Sequence, residues 1–506
     1  MYSLRTTKTK SGATAVQVVE YRDGQTIVHK HIASTHDFSG LPNLFQAGYQ
    51  WIEHTTGQRN LFSPDTHQSL QPPAVLLTKN LQAIRFQPLL VYQVFSFLSD
   101  HLGLNNLCPT DPSLGQLIRD LALMRLVNPG SKLEAITSLQ DLFGITYHRS
   151  DVYRKLVSLG TLKSHVEEIM VAFAQRHFQF TFTLIFYDVT TLYFESFVDD
   201  DDLRQRGFSK DNKFNQPQLV IGLIVNETGF PIAYQVFPGN TFEGHTIIPI
   251  ILDLKQKYQI QTLTVVADAA MISDENVAKL TTSQLHYIVG ARMGNIRQTL
   301  IAKISRTLHH EDGKTMRLKT AKGDLICSFS KTRYAKDKHD TEKQLERAAY
   351  YLNHPARAIK RLKFLSLTSR QPTLNQKLLA KTRLLWGIKG YYTNTQLSDQ
   401  EVITQYQNLW RVEQSFRLTK SDLKARPIFV QKTKTIQAHI LVCFVALAAA
   451  KVIELKTHVS LKKVVKILSK IQDITLLDTL TGKTFILRSQ LNADVKNILK
   501  KLGFPY

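Results

Sequence analysis

The stretch TLIFYDVTTLYFE (183–195) decides the fold, because its aromatic, apolar and β-branched residues predict a strand buried in a sheet. Working outward, further strands are predicted at QLVIGLIVN, PIAYQVF, TLTVVAD and HYIVGAR (218–226, 231–237, 262–268 and 286–292). The tight turn NETG (226–229) joins the second and third strands as a hairpin. Helices are predicted at HTIIPIILDLKQKY (245–258) and SDENVAKLTTSQ (273–284), the second capped by Ser273.

Over residues 181–292 these elements follow the order β-β-β-α-β-α-β. Three antiparallel strands, a helix, and then parallel strands with a helix between them is the order of ribonuclease-H-like α/β folds. In that order the first and fourth strands lie side by side. The sequence therefore predicts that Asp188, in the first strand, and Asp268, at the end of the fourth, are neighbours.

Three acidic residues carry most of the information about function. Asp188 closes LIFYD, Asp268 closes LTVVAD, and Glu413 lies in LWRVEQSFRLTKSDLK (409–424), which has the pattern of a helix. A carboxylate at the end of a buried strand is unfavourable unless its charge is compensated. Hard cations prefer carboxylate oxygens, and paired ions can hold a phosphodiester for in-line attack. The three acids therefore predict a divalent-metal site in an enzyme of phosphoryl transfer on nucleic acid.

The charge of the chain favours a polyanionic partner. With 64 Lys and Arg against 41 Asp and Glu in 506 residues, the formal net charge is +23 and the pI is near 9.7. Such an excess of basic residues is typical of proteins that bind nucleic acid. The alternatives are a surplus that serves solubility, or binding to a ribosome or a membrane surface.

The cysteines indicate a reducing environment. Cys108, Cys327 and Cys443 are far apart and form no CxxC pair, so we expect a cytoplasmic protein without disulfides or a structural zinc site. The N-terminus MYSLRTTKTKSG has no apolar signal core. The longest apolar run, HILVCFVALAAAKVI (439–453), is short for a membrane span and predicts a buried helix, so no membrane partner is expected.

The segments differ in pattern, and we expect four regions. Residues 1–75 alternate apolar and polar residues, which predicts a small β-rich unit, whereas residues 79–180 have helical spacing. The catalytic core is expected to span residues 181–450, with a basic, partly β insertion at 293–392. Residues 455–506 are expected to form a basic helical tail.

The helical region at 79–180 leaves two alternatives open. Short helices in a basic chain permit a helix-turn-helix that binds DNA ends. A helical packing domain would have the same pattern, and no turn motif in the sequence decides between the two.

Five motifs together resemble the DDE transposases of bacterial insertion sequences. The resemblance covers roughly residues 180–450. It is to the branch of this family in which the third acid lies in a Y-R-E-K signature and an insertion precedes that acid. The trailing AHILVCFVALAA (438–449) is also similar. The motifs are YDVTTLYFE, RGFSKDNKFNQPQLVIGL, FPIAYQVFPGNTFEGHT, VVADAAMIS and YQNLWRVEQSFRLTKSDLKARPIF (187–195, 206–223, 230–246, 265–273 and 406–429).

Carried over residue by residue, the resemblance implies that Asp188, Asp268 and Glu413 are the catalytic acids. It implies that they hold two Mg²⁺ ions, for which Mn²⁺ could substitute, with Asp188 bridging the pair. The implied enzyme is a homodimer on double-stranded DNA in the bacterial cytoplasm, associated with the nucleoid. It would bind the terminal inverted repeats of its element, cleave the DNA by metal-dependent hydrolysis, and join the 3′-hydroxyl ends to target DNA.

The resemblance also places Tyr406 and Lys420 at the tyrosine and the lysine of the signature. Each lies seven residues from Glu413, so on a single helix all three would share a face. We therefore expect the hydroxyl and the ammonium to contact phosphate on either side of Glu413.

The chain departs from the signature at its arginine, because Leu409 occupies that place. One interpretation is a missing phosphate contact, which Arg411 or Arg417 could supply from the same helix. On helical geometry, Arg417 is the better placed of the two. The other interpretation is that Leu409 belongs to the core.

Two charged segments before the second strand have weaker interpretations. Arg206, Lys210 and Lys213 in RGFSKDNK could contact the DNA backbone or form an exposed basic loop. The acidic run VDDDD (198–202) could bind metal, although a solvated loop explains it as well.

Two rival functions remain on the sequence alone. One is a ribonuclease-H-like nuclease that cleaves without strand transfer. The other is a catalytically impaired DNA-binding protein derived from a transposase, which the leucine at position 409 keeps open.

Overall fold

The computed structural model of the chain describes most of its 506 residues. Lys210 and the segment 71–77 lie outside the described residues. The described residues are 2–22, 24–37, 40–56, 80–200, 202–208, 213, 215–271, 273–308, 310–353, 362–366 and 373–506.

The elements follow one another in five groups along the chain. The first group is β1 (Tyr2–Lys8), β2 (Thr14–Arg22), β3 (Gln25–Thr35), α1 (Leu41–Thr56) and β4 (Leu81–Gln87). Helices follow, namely α2 (Leu89–Leu102), α3 (Pro112–Val127), α4 (Lys132–Phe143), α5 (Arg149–Leu159) and α6 (Lys163–Phe178). The third group is β5 (Leu184–Tyr193), β6 (Gln218–Val225), β7 (Pro231–Pro238), α7 (Ile247–Lys257), β8 (Thr264–Ala267), α8 (Asp274–Thr282) and β9 (His286–Gly290).

The remaining two groups complete the chain. The fourth is α9 (Gln298–Leu308), β10 (Thr315–Thr320), β11 (Gly323–Phe329), α10 (Lys331–Asn353), β12 (Leu365–Ser366), β13 (Thr373–Leu374), α11 (Gln376–Leu384) and β14 (Ile388–Thr393). The fifth is α12 (Asp399–Gln407), α13 (Trp410–Arg417), α14 (Thr433–Thr457), α15 (Leu461–Leu468), β15 (Asp473–Asp478), β16 (Thr484–Arg488) and α16 (Ala493–Leu502).

The chain divides into two compact units. The first combines Met1–Gln87 with Gln472–Ser489, and the second combines Pro88–Ile471 with Gln490–Tyr506. The first unit contains the antiparallel sheet β1-β2-β3 and a second sheet in the order β16-β15-β4.

These units differ from the four regions expected from the sequence. Residues 79–180 begin with a strand rather than a helix, and the tail 455–506 contains two strands. The reason is long-range pairing, because β15 takes β4 as its antiparallel partner across nearly 400 residues, with Ile474 opposite Phe86. No local pattern in either segment reports such a partner.

The second unit is built on an eight-stranded sheet in the order β10-β11-β14-β9-β8-β5-β6-β7. Strands β5, β6 and β7 are antiparallel neighbours, whereas β8 lies parallel to β5 and β9 lies parallel to β8. The predicted order of these five strands is therefore confirmed, and so is the position of the first strand beside the fourth.

The segment expected as an insertion, 293–392, extends this sheet. Strand β14 pairs antiparallel with β9, and β11 and β10 continue the sheet beyond it. The remaining helices of the segment, α9, α10 and α11, lie in sequence between these strands.

Helix α14 forms the centre of the core of the second unit. It is apolar around its whole circumference, as expected of a helix surrounded by other elements. Helices α2, α3, α5 and α6 and strand β7 all pack against it, so the helical region and the sheet share one hydrophobic core. By length and composition α14 could span a membrane, but 94% of its most apolar window is buried inside the protein. The predicted buried helix is confirmed.

Three basic side chains, from α3, α4 and α14, are buried together. The Nδ1 atom of His439 lies 3.3 Å from Nζ of Lys132 and 3.4 Å from a guanidinium nitrogen of Arg125. Burial, reinforced by the positive charge of Arg125, lowers the pKa of Lys132 to about 7. Burial also lowers the pKa of His439 well below its usual value. The cluster therefore holds less charge at neutral pH than its composition suggests.

We expect Lys132→Met to raise the free energy of unfolding at pH 7 by about 1–4 kcal/mol, because an apolar side chain avoids the cost of burying an ammonium. The pKa of Lys132 is lowered from 10.5 to about 7 in the folded protein. Between these two pH values the unfolded chain therefore binds more protons than the folded protein. The free energy of unfolding of the wild type then grows with rising pH, by up to about 1.4 kcal/mol per pH unit.

Urea denaturation of the wild type and of Lys132→Met at several pH values between about 7 and 9 would measure this slope. The matched control is Lys496→Met, which removes an exposed lysine of α16. A Lys132→Met variant with the same pH slope as the wild type would contradict the assignment.

Candidate active site

Strand register brings Asp188 and Asp268 to neighbouring positions. Tyr187 in β5 pairs with Ala267 in β8, so the aspartate that follows each of them lies at the same level of the sheet. Adjacent strands are about 4.8 Å apart. Strand β8 ends at Ala267, and the carboxylate of Asp268 accepts a 2.7 Å hydrogen bond from the backbone N–H of Ala269.

The tyrosine before the first aspartate anchors β5. The buried hydroxyl of Tyr187 donates a 2.7 Å hydrogen bond to Thr246, immediately before α7. Gly222 in β6 leaves room for this ring, because a Cβ atom there would overlap the hydroxyl. The contact fixes the backbone that carries Asp188.

Tyr406 is a hydrogen-bond partner of Asp268. Its hydroxyl donates to the Asp268 carboxylate at 3.2 Å, and its side chain is only 7% exposed. Burial and the neighbouring charge of Asp268 raise the pKa of Tyr406, so the hydroxyl keeps its proton. Gly290 permits the contact, since a Cβ atom there would lie 2.5 Å from the hydroxyl oxygen. Tyr406 therefore orients an acid in this structure, whereas we expected it to contact phosphate.

Glu413 lies on a separate helix from Tyr406. Helix α12 ends at Gln407 and α13 begins at Trp410, and the link is tightened by hydrogen bonds from Leu409 N–H to Tyr406 and from Arg411 N–H to Asn408. The expected single helix is therefore interrupted between Tyr406 and Glu413. The charge of Glu413 still acts on Tyr406 and contributes to its raised pKa. Glu413 is exposed in the first turn of α13.

A buried serine holds α13 against the sheet. The hydroxyl of Ser415 lies 3.2 Å from the carbonyl oxygen of Gly229, in the turn between β6 and β7, and 3.1 Å from that of Arg411, so its one hydrogen is shared between two acceptors. This contact sets the position of the helix that carries Glu413.

Lys420 lies within a turn of altered helical geometry. Residues Leu418–Asp422 form a π-helical turn, which contains more residues than an α-helical turn and so rotates the positions that follow. The seven-residue spacing from Glu413 to Lys420 therefore does not follow regular α-helical geometry. From α3, Arg125 donates to the carbonyl oxygens of Leu423 and Lys424 at 3.4 and 3.0 Å and holds the end of this turn.

Lys389, in β14, is a site residue that the sequence analysis did not identify. Its ammonium lies 4.5 Å from the centre of the Tyr406 ring and 5.6 Å from that of Tyr391. Burial and the charge of Arg333 lower the pKa of Lys389, and the carboxylates of Asp268 and Glu413 act in the opposite direction. Lys389 therefore lies within the electrostatic reach of both acids.

A signal for this residue was present in the sequence. In the strand IKGYYT (388–393), Lys389 and Tyr391 are two residues apart and so lie on the same face. What the sequence did not show is that this strand pairs with β9, beside the end of β8.

The arginines near Leu409 have different surroundings. Leu409 is only 5% exposed and belongs to the hydrophobic core, as one of its two interpretations predicted. Arg411 packs beside Gly229, with its guanidinium over the ring of Trp410. Arg417 is exposed at the end of α13. No described contact connects either arginine with Asp188 or Asp268.

Several charged side chains in the described part of the loop between β5 and β6 make contacts within that loop. The Arg206 guanidinium donates to the carbonyls of Phe197 and Asn215, and it forms a 3.4 Å ion pair with Asp199. Within the acidic run, Asp200 accepts hydrogen bonds from the backbone and side chain of Arg204. Both segments therefore have structural roles in this loop.

The ammonium of Lys213, in the same loop, lies over an aromatic ring. Its ammonium is 5.6 Å from the centre of the Tyr193 ring, and the guanidinium of Arg426 is 5.5 Å from the same ring. The two cations and the tyrosine form a basic, aromatic group of the kind that binds single-stranded nucleic acid or the phosphates of a nucleic-acid backbone.

The donor set fits a hard cation, although the acids are not gathered around one point. Among the described residues, no three His, Cys, Asp or Glu side chains are close enough to hold a metal together. Asp188 lies within β5, which continues to Tyr193, and not at a strand end as expected, whereas Asp268 directly follows β8. Two carboxylates at neighbouring positions are nevertheless the oxygen ligands that Mg²⁺ prefers. The negative charges of Asp268 and Glu413 both act to raise the pKa of Lys389, so both acids lie within its electrostatic reach.

Comparisons with solved structures give weak similarities to two transposases. One is a cryo-EM structure of a piggyBac transposase synaptic complex with hairpin DNA, at 11% identity and a TM-score of 0.41, covering 76% of this chain and 79% of that one. The other is a Mos1 transposase paired-end complex with the left transposon end, at 13% identity and a TM-score of 0.16, covering 48% and 66%. No curated protein matches the chain significantly.

The family comparison is stronger. A profile described as the transposase DDE domain matches residues 183–449, more than half of the chain. The match contains the eight-stranded sheet, Asp188 and Asp268, and the helix that carries Glu413. The chain therefore belongs to the transposase DDE domain family.

Proposed function

We propose that the protein is a DNA transposase with a ribonuclease-H-like catalytic core, from a bacterial insertion sequence of the Y-R-E-K branch. It binds the terminal inverted repeats of its own element, hydrolyses a phosphodiester at each end, and joins the freed 3′-hydroxyls to target DNA. The observation that carries this proposal is the register that sets Asp188 beside Asp268 at the level of Tyr187 and Ala267.

In this proposal Asp188, Asp268 and Glu413 hold Mg²⁺, as two ions, with Mn²⁺ able to replace it. Bound divalent ions acidify water and stabilise charge on the phosphoryl oxygens. Tyr406 contributes by orienting the carboxylate of Asp268 through its hydroxyl. Ser415 contributes by fixing α13, and with it the position of Glu413.

The partners follow from charge and from the reaction. Double-stranded DNA is the partner that a net charge of +23 favours, both as transposon ends and as target. Pairing of two ends calls for two copies of the protein, so we propose a homodimer in the DNA complex. Its place is the bacterial cytoplasm, at the nucleoid. Lys213, Lys420, Arg417 and Arg206 are proposed to contact the DNA, and so are Arg411 and Lys210.

The test begins with the DNA that flanks the coding region. We expect imperfect inverted repeats there, with short direct repeats outside them. A labelled duplex that carries one repeat should be cut at its end with Mg²⁺, and the 3′ end should then appear joined to a plasmid. Cleavage without joining would indicate a nuclease, and binding without cleavage would indicate a catalytically impaired DNA-binding protein.

Binding should weaken steeply with salt. Each phosphate that the basic surface neutralises releases counterions, so raising the salt from about 50 to 200 mM should lower the affinity by about 10³-fold or more. Base contacts release no counterions, so binding to the repeat should lose less than binding to unrelated DNA. Gel-shift titrations of both duplexes across this range would measure the two slopes, and an affinity that is independent of salt would contradict the electrostatic basis of binding.

A further inference from the structure

A polar cleft opens beside Asp268 in the second unit. Its volume is about 540 Å³, within the range of sites that hold a small ligand. The end of β8, strand β14 and helices α10 and α11 line it, and its wall includes Asp268, Tyr406 and Lys389. The cleft therefore reaches one acid of the candidate active site, Asp268.

The cleft carries more positive than negative charge. Its lining includes the basic residues Arg333, Lys363, Lys381 and Lys389, against Asp268, Asp337 and Asp340. One of these acids is already compensated, because Asp337 pairs with Arg333 at 3.4 Å and accepts a hydrogen bond from the Gly387 N–H at 3.1 Å. Such a surface suits an anionic strand that enters beside the acids.

Lys389 is the basic residue of this lining that lies over Tyr406. Its ammonium lies against the two tyrosine rings, and it forms no ion pair with a described carboxylate. The rings hold the cation in a partly desolvated position, where its attraction for a phosphate oxygen is stronger than in water. Arg411, Arg417 and Lys420 do not line the cleft.

We propose that Lys389 binds a nonbridging oxygen of the phosphate that is cleaved, where the cleft meets Asp268. This assignment rests on the proposed function and identifies a substrate-contacting residue for it. Lys389 transfers no proton in this role; its fixed positive charge stabilises the negative charge that develops on the phosphoryl oxygens.

Lys389→Met tests the role, because methionine keeps a similar length without the charge. We expect single-turnover cleavage of a repeat-bearing duplex to slow by about 10²–10³-fold. Lys389→Arg keeps the charge and should recover part of the rate. The matched control is Lys338→Met, which removes a half-exposed lysine of α10 that does not line the cleft. It should cleave like the wild type.

A contact with one particular phosphate has a second readout that does not depend on activity. Duplexes with a neutral methylphosphonate at the cleaved position or at a neighbouring position are bound in EDTA. At the cleaved position, the modification should weaken binding of the wild type about fivefold more than binding of Lys389→Met. At the neighbouring position the two proteins should respond equally. Equal responses at the cleaved position would overturn the proposal.

The outcomes separate this inference from the proposed function. Failure of the wild type to bind or cut repeat-bearing DNA would reject the transposase itself. Normal cleavage by Lys389→Met, with cleavage by the wild type intact, would reject only the role of Lys389. If Lys389→Met does not fold, as judged by thermal melting, Lys389→Gln provides the same comparison with a polar side chain.

Discussion

Alanine at Asp188, Asp268 or Glu413 should abolish DNA cleavage and leave binding to the transposon ends almost intact. Each acid is proposed to hold metal, whereas the affinity for DNA comes from the basic surface. Loss of one metal ligand removes stabilisation of the transition state, so we expect the cleavage rate to fall by at least ~10³-fold. Gel-shift and nicking assays on the same preparations would measure both properties.

The control for this series is Glu275→Ala, which removes an exposed acid of α8 that pairs with Lys279. It should cleave and bind like the wild type. A variant at any of the three positions that still cleaves at a comparable rate would remove that residue from the catalytic set. Loss of binding together with cleavage would instead indicate a folding defect.

Leu409→Arg should destabilise the fold by about 3–5 kcal/mol, because it places an unpaired charge in the core. Leu409 is 5% exposed and packs within the hydrophobic core of the second unit. If position 409 instead lacked a phosphate contact, Leu409→Arg would supply that contact and give a faster enzyme. The structure favours the opposite outcome, a lower melting temperature and lost activity.

Thermal melting of Leu409→Arg beside Gln407→Arg would measure this effect. Gln407 is exposed at the end of α12, so the same new charge should cost little there. A Leu409→Arg protein with an unchanged melting temperature and faster cleavage would restore the missing-contact interpretation.

Local sequence patterns were enough to predict the core strands and the neighbouring positions of two of the acids. Apolar runs such as LIFYD and LTVVAD predict buried strands, because burial on both faces of a sheet demands apolar residues throughout. The order of elements then places β5 beside β8, and with it Asp188 beside Asp268. The apolar run of α14 likewise predicted a buried helix.

Helical spacing failed around Glu413 for a physical reason. Periodicity assumes an unbroken α-helix, but the backbone tightens at Leu409 and widens into a π-turn at Leu418–Asp422. Each change alters the rotation per residue, so the spacing of seven alone does not fix which side chains share a face. Nothing in the side chains themselves shows where such a break occurs.

By itself the sequence determined the five central strands, their order, the neighbouring positions of two acids and the basic charge. Each of these depends on neighbouring residues or on composition. Only the tertiary structure decided that β4 pairs with β15, that Lys389 lies beside Tyr406, and that Leu409 is buried. These contacts join segments far apart in the chain, and their free energy comes from packing and pairing in three dimensions, which no local pattern contains.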